Sequence, residues 1–293
     1  MLLLTGATGA VGSQLLPLLL ESGQPVRCLV REPRRLGERR VSVQITLGDL
    51  AELSDPYLLR QALRGVDTVI HLAATIRDQP PRRIEELNGL ATVRLLRAAE
   101  SFGVERFVFF SAINASTTQR TRFFRAKALA EQAVASSPLD SIVFSPSIVY
   151  DHSDPWITLL RRFSFLPVMP VSGSGQARYQ PIWAHDVARC VVGALQRDAG
   201  SRYELAGPET LSYDEISDLV SRASGRPRPL LHLPLPLVRW GLIALRKAFG
   251  EAAFATWEEA ELMEVPMVSE RGTADAERLG VQPKRMWEVL GGE

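Results

Sequence analysis

Thr5-Gly6-Ala7-Thr8-Gly9-Ala10-Val11-Gly12 stands directly after the apolar run Leu2-Leu3-Leu4 and opens an amphipathic stretch that lasts to about residue 22. Glycines at 6, 9 and 12, placed between a strand and a helix, read as a phosphate cradle. The first allows the tight turn, the second lets backbone approach a pyrophosphate, and the third lets the helix press against the sheet. A helix starting at Ala10-Val11 would aim unpaired N–H groups and the positive end of its dipole at the phosphates. Gly6, Thr8, Gly9, Ala10, Val11 and Gly12 are therefore candidate cofactor contacts.

Working outward, apolar runs at Leu2–Leu4, Val26–Val30, Val41–Leu47, Val66–Leu72, Arg106–Phe110 and Ser141–Ser145 alternate with helical patterns at 10–22, 56–64, 84–102 and 121–136. Runs that are apolar throughout fit strands covered on both faces. Gly23, Gly65 and Gly103 stand where left-handed helix caps are expected. The pattern predicts an α/β fold, a Rossmann-type doubly wound parallel sheet with a smaller C-terminal α/β lobe. The expected division is a dinucleotide-binding domain over 1–150 and a substrate or partner lobe over 151–293, part of which packs back on the sheet. In the lobe, helices are expected near 185–197, 213–223, 236–249 and 256–264, with a strand at Tyr203–Ala206.

A formal net charge of +1 gives no reason to expect a nucleic-acid partner. Cys28 and Cys190 sit in apolar patterns, which suits a reduced cytoplasm. Gly6 cuts short the apolar start, so no signal peptide is read there, and no run approaches the ~20 apolar residues of a membrane span. Arg239, Arg246 and Lys247 interrupt the stretch Leu235 to Phe249, which reads as a core-packed amphipathic helix, with a membrane-surface helix as the alternative.

The second strand ends in Cys28-Leu29-Val30-Arg31, a guanidinium where NAD enzymes place a carboxylate for the ribose 2′-hydroxyl. Arg34 and Arg35 follow, and a guanidinium fork suits a 2′-phosphate, so the expected cofactor is NADP(H) rather than NAD(H). A solvated basic loop, with Glu32 reaching the ribose, is the other reading. Asp49 with Leu50 could meet the adenine, or Asp49 could cap the next turn. Leu72, Ala73 and Ala74 are small enough to pass under a cofactor, and His71 reads as a packed, hydrogen-bonded histidine. No metal site is expected.

Together, the glycine turn, Gly48-Asp49-Leu50, His71-Leu-Ala-Ala74, the helix at Asn88, Pro146-Ser-Ile-Val-Tyr150 and Asp186-Val-Ala188 resemble the atypical or extended short-chain dehydrogenase/reductase superfamily. Phe165-Leu-Pro-Val-Met-Pro170, Gly173-Ser-Gly175 and Tyr179-Gln-Pro-Ile-Trp-Ala-His-Asp186 are most similar to its group containing the NADPH-binding accessory subunit of mitochondrial complex I and bacterial relatives. The resemblance implies cofactor contacts from Ser111, Lys127, Pro146 and Ile148. It also implies a Tyr four residues before Lys127, with both on one helical face. This chain has Phe123 there, and no tyrosine lies between Tyr57 and Tyr150.

Three functions remain open: an NADP(H)-binding protein with a structural, assembly or sensing role, an NADPH-dependent reductase or isomerase, or an NAD-dependent sugar epimerase or dehydratase. The second would use Lys127, or an acid from Tyr150, Asp151 or His152, although Asp151 and His152 also read as solvated loop residues. For the third, Arg178 and the Gly173/Gly175 loop could meet a phosphate. The partner beyond the dinucleotide, a small molecule or a protein, is not named by the sequence.

Overall fold

The computed structural model describes residues 1–79, 81–197, 201–250 and 255–291. The strands β1 (Leu2–Thr5), β2 (Val26–Val30), β3 (Gln44–Leu47), β4 (Thr68–His71), β5 (Arg106–Phe110) and β6 (Asp140–Pro146) form a parallel sheet with the later strand Ser201–Leu205. Its seven strands run in the order Ser201–Leu205, β6, β5, β4, β1, β2, β3. The strand order reverses between β1 and β4, and ligands of such sheets bind above the carboxyl ends at that switch.

Side chains alternate across each strand, which divides the core in two. Leu2, Leu4, Cys28, Val30, Ile70, Val108, Phe110, Ile142 and Phe144 pack on one face against Leu15, Leu16 and Leu19 of helix α1 (Ala10–Glu21). Leu3, Leu29, Val69, Phe107, Phe109 and Val143 face helices α2 (Pro56–Leu63), α3 (Ala91–Ser101) and α4 (Arg122–Ala135). Gly23, Gly65 and Gly103 all have φ near +70°, as left-handed caps require.

Several expected boundaries shift. Val41–Leu47 contributes a strand only from Gln44, because Pro33–Val41 winds into 3₁₀ turns with basic side chains in water. The run 84–102 is a π-turn, Glu86–Leu90, followed by α3. Beyond Tyr150, helices α5 (Pro155–Phe163) and α7 (Tyr213–Ala223) pack around a third apolar cluster that includes Tyr150, Ile157, Met169, Tyr179 and Ile216. Between them in sequence, α6 (Ala184–Leu195) returns to the sheet through Val187, Cys190 and Val191 and covers the α1 face.

One expectation is overturned. Helix α8 (Leu235–Phe249) is not core-packed, since none of its residues is buried. It rests on helix α9 (Trp257–Leu262) through Arg246, whose guanidinium meets the Glu258 carboxylate at 3.2 Å. Its apolar side chains exceed what that narrow contact covers. Among the described residues, no helix is long and apolar enough to cross a membrane.

Phe144 joins the last two strands of the sheet: its ring lies 5.1 Å from that of Phe110 and stacks at 5.6 Å on Tyr203. Phe144→Ala should destabilise the fold by about 3–5 kcal/mol, read as a lowered urea midpoint; an unchanged midpoint would show that the edge strand is not held there.

Candidate functional site

A groove opens above the carboxyl ends of β1, β2 and β4. Gly6, Thr8 and Gly9 form one wall, Arg31, Arg35, Asp49 and Leu50 the far end, and Leu72, Ala73 and Ala74 the floor. These ten candidate contacts are brought together by the switch point. Glu32 and Arg34 stand outside the groove lining.

The glycine turn explains how the wall is made. Gly6 has φ +75, and a Cβ on it would fall 2.7 Å from the Ala73 amide nitrogen. The two loops therefore touch backbone to backbone. At Gly12 a Cβ would lie 2.1 Å from the Gly6 carbonyl oxygen, so this glycine admits the helix against its own loop, and not against the sheet as expected. Gly9 is different: its Cβ would meet only the Gly6 oxygen, at 3.3 Å, and would otherwise point into open space. No side chain caps α1. Its first amides, from Ala10, Val11 and Gly12, precede the first intrahelical donor, Ser13, which reaches the Gly9 carbonyl at 2.9 Å. Unpaired amides at a helix start, with room in front of Gly9, suit a pyrophosphate.

The floor is held from below. Thr92 donates to the Asn88 carbonyl at 2.7 Å and so accepts from His71 Nε2 at 3.0 Å. His71 Nδ1 then accepts from Thr5 at 2.8 Å, and the Thr5 oxygen accepts the Ala73 N–H at 3.3 Å. This order of donors assigns a neutral imidazole. Burial, and then the nearby Lys127 charge, hold its pKa down at about 3. Asn88, placed by the π-turn, clamps Thr75 with its side chain: Oδ1 accepts from Thr75 N at 2.9 Å and Nδ2 donates to Thr75 O at 2.8 Å. The role of Asn88 and the groove positions of Thr75 and Gln79 were not read from sequence, because they lie in or act on a polar loop without periodicity.

At the far end of the groove, the Asp49 carboxylate accepts from Ala51 N at 3.1 Å and closes a capping box with Glu52, so the capping alternative is realised. Its other oxygen lies 3.4 Å from Arg31, which also donates to Gln79 at 3.2 Å. Arg31 and Arg35 are both exposed and line this end of the groove, and the residue directly after β2 is Arg31, not a carboxylate.

Lys127 does not line this groove. It is 2% exposed, and its Nζ donates to the Phe110 carbonyl at 2.7 Å. Nζ lies 5.1 Å from the centre of the Phe109 ring and 5.8 Å from that of Phe123. Burial among these groups pushes its pKa down to about 7. The Ser111 hydroxyl donates to Glu131 on α4, which is in turn paired with Arg202. Pro146 and Ile148 are turned into the seam between sheet and lobe: the Pro146 carbonyl accepts from Ile113 N at 3.0 Å, and Ile148 packs in the lobe cluster. Asp151 is buried, contrary to the solvated-loop reading, and both its oxygens are occupied, by Gln14 at 3.0 Å and Trp183 at 3.1 Å.

The strand order, glycine turn and groove define a dinucleotide-binding Rossmann protein of the atypical short-chain dehydrogenase/reductase type. The chain belongs to the NAD(P)H-binding family, whose model matches residues 6–198. It is 30% identical to the (4-alkanoyl-5-oxo-2,5-dihydrofuran-3-yl)methyl phosphate reductase of Streptomyces griseus, with 92% of each chain covered. It is 27% identical to the mitochondrial NADH dehydrogenase (ubiquinone) 1 alpha subcomplex subunit 9 of Arabidopsis thaliana, over 80% of this chain and 60% of that one. The fold is shared with the Thermus thermophilus UDP-glucose 4-epimerase solved with NAD, at a TM-score of 0.74 and 20% identity over 99% and 96% of the two chains.

The two glycines should separate binding from folding. Gly9→Val should keep a near-parental melting temperature without ligand and lose the rise on adding NADPH, whereas Gly12→Val should lower the unliganded melting temperature itself. A Gly9→Val protein that still responds to NADPH would remove the loop as the phosphate site.

Proposed function

We propose that this protein binds NADP(H) in preference to NAD(H), performs no tyrosine-dependent reduction, and acts as a cytoplasmic structural, assembly or sensing component stabilised by its cofactor. The observation that carries the cofactor preference is the pairing of Arg31 and Arg35 at the end of β2, where an NAD site needs a carboxylate. A guanidinium in that position can take a 2′-phosphate by charge-assisted bonds, exchanging its long contact with Asp49 for a stronger one. The missing reaction follows from Phe123, since a phenyl ring can neither donate nor accept the proton of a carbonyl reduction. The Arabidopsis relative, by its name a subunit of a larger complex, supports the non-catalytic role.

The test is thermal. A ligand that binds only the folded state raises the melting temperature in proportion to its occupancy. NADPH should raise it more than NADH at equal concentration, and Arg31→Asp should shrink or reverse that difference. Equal shifts in the parent protein would overturn the preference.

A second reading is favoured by the Streptomyces relative, a reductase by name and similar along nearly its whole length. NADPH supplies a hydride when bound, and the substrate oxygen then needs a proton. On this reading Lys127, with a pKa near 7, gives that proton only by leaving its bond to the Phe110 carbonyl and reaching the groove, which it does not line as it stands. A general acid contributes ~10²–10⁴-fold in rate. On the leading reading, the parent protein turns over quinones, enones and aldehydes no faster than background, and Lys127→Ala leaves that background unchanged. Ordinary enzymatic turnover by the parent, abolished in a Lys127→Ala protein still saturated with NADPH, would establish the second reading instead.

A further inference from the structure

From Leu219 to Gly250 the chain contains no Asp or Glu, but has Arg222, Arg226, Arg228, Arg239, Arg246 and Lys247. In a protein of net charge +1, this concentrates positive charge in one segment. Helix α8 lies inside that segment. At ~100° per residue, Leu237, Trp240, Gly241, Ala244, Lys247 and Ala248 fall within an arc of about 120°, and every one of them is exposed. Trp240 is 71% exposed and Leu237 62%, and Lys247 is the only charge on the arc; Phe249, 63% exposed, ends the helix outside it.

The opposite side of α8 is accounted for. Arg246 reaches the Asp78 carbonyl at 3.1 Å as well as Glu258, and Arg239 lies over the Trp257 ring at 5.5 Å. The outward arc is therefore held in place by the inward contacts. A tryptophan and a leucine on the outward arc of a cationic helix with no acidic residue match the chemistry of an anionic lipid surface: the ring and the aliphatic chain enter the headgroup boundary, while Lys247 extends to the phosphates. A second copy of the chain is a poorer occupant, since pairing two such helices brings like charges together. At 15 residues, α8 is about 22 Å long, which suits lying in the surface and not crossing it.

We propose that the outward face of α8 docks this protein onto the surface of a bilayer that carries anionic lipid. The experiment is cosedimentation of the full chain with phosphatidylcholine vesicles, with and without phosphatidylglycerol. The protein should pellet with the mixed vesicles, do so less at raised salt, and stay largely in solution with phosphatidylcholine alone. Trp240→Glu should cut partitioning by at least ~10-fold, with an unchanged circular-dichroism melt showing that the fold is intact. A parent protein that stays in solution with the mixed vesicles, or a Trp240→Glu variant that pellets as the parent does, would overturn the proposal. So would a parent dimer that ignores vesicles and splits on Trp240→Glu, which would assign the face to a second copy. None of these outcomes depends on which nucleotide the groove prefers.

Discussion

A β-carbon at position 12 would lie inside the van der Waals surface of the Gly6 carbonyl oxygen, and one at position 6 would press into the Ala73 amide. These two backbone contacts set the distances among β1, α1 and the loop after β4. The start of α1 can then present bare amides directly over the switch point, and the floor of the groove can pass within reach of a flat ligand. Arg31 and Arg35 acquire meaning only inside that frame, because they mark the far end of a groove whose near end is the glycine turn. A side chain at either glycine would separate loop from helix or loop from loop, and the two ends of the groove would lose their common register.

Much of the sheet was legible because its strands are buried on both faces and therefore read as unbroken apolar runs. Val26–Val30 and Arg106–Phe110 match the structure residue for residue. The glycine turn was legible because its chemistry is local. Arg31 was legible because strand ends in this fold have fixed positions relative to the ligand. Other features failed for physical reasons. The π-turn Glu86–Leu90 runs directly into α3 with no proline between them, so the pattern at 84–102 looks like one helix. Asn88, Thr75 and Gln79 act through backbone carbonyls and amides, to which side-chain periodicity is blind. Helix α8 misled because hydropathy records how much apolar surface a segment has and not what covers it.

Lys127 and Phe123 illustrate a different limit. Their spacing places them one helical turn apart, and the lysine ammonium does lie beside the phenyl ring. What spacing could not convey is the environment: an amine buried among aromatic rings, donating to the Phe110 carbonyl, on a residue that does not line the groove. A charged amine is expensive in such surroundings, which accounts for the depressed pKa without reference to any reaction. The same perturbation is compatible with a structural lysine and with a proton donor, so the distinction rests on turnover and not on geometry.

The hydrogen-bonded chain from Ala73 through Thr5, His71 and Thr92 to Asn88, with the clamp on Thr75, has a thermodynamic consequence for ligand binding. Immobilising a loop costs conformational entropy whenever it occurs. Here the cost falls on folding, because the floor of the groove is already pinned by side chains on β1, β4, the π-turn and α3. An incoming dinucleotide meets a preorganised surface, and little of its interaction energy is diverted into ordering the protein. Part of the cofactor affinity thus resides in Thr92, on a helix whose side chains do not line the groove.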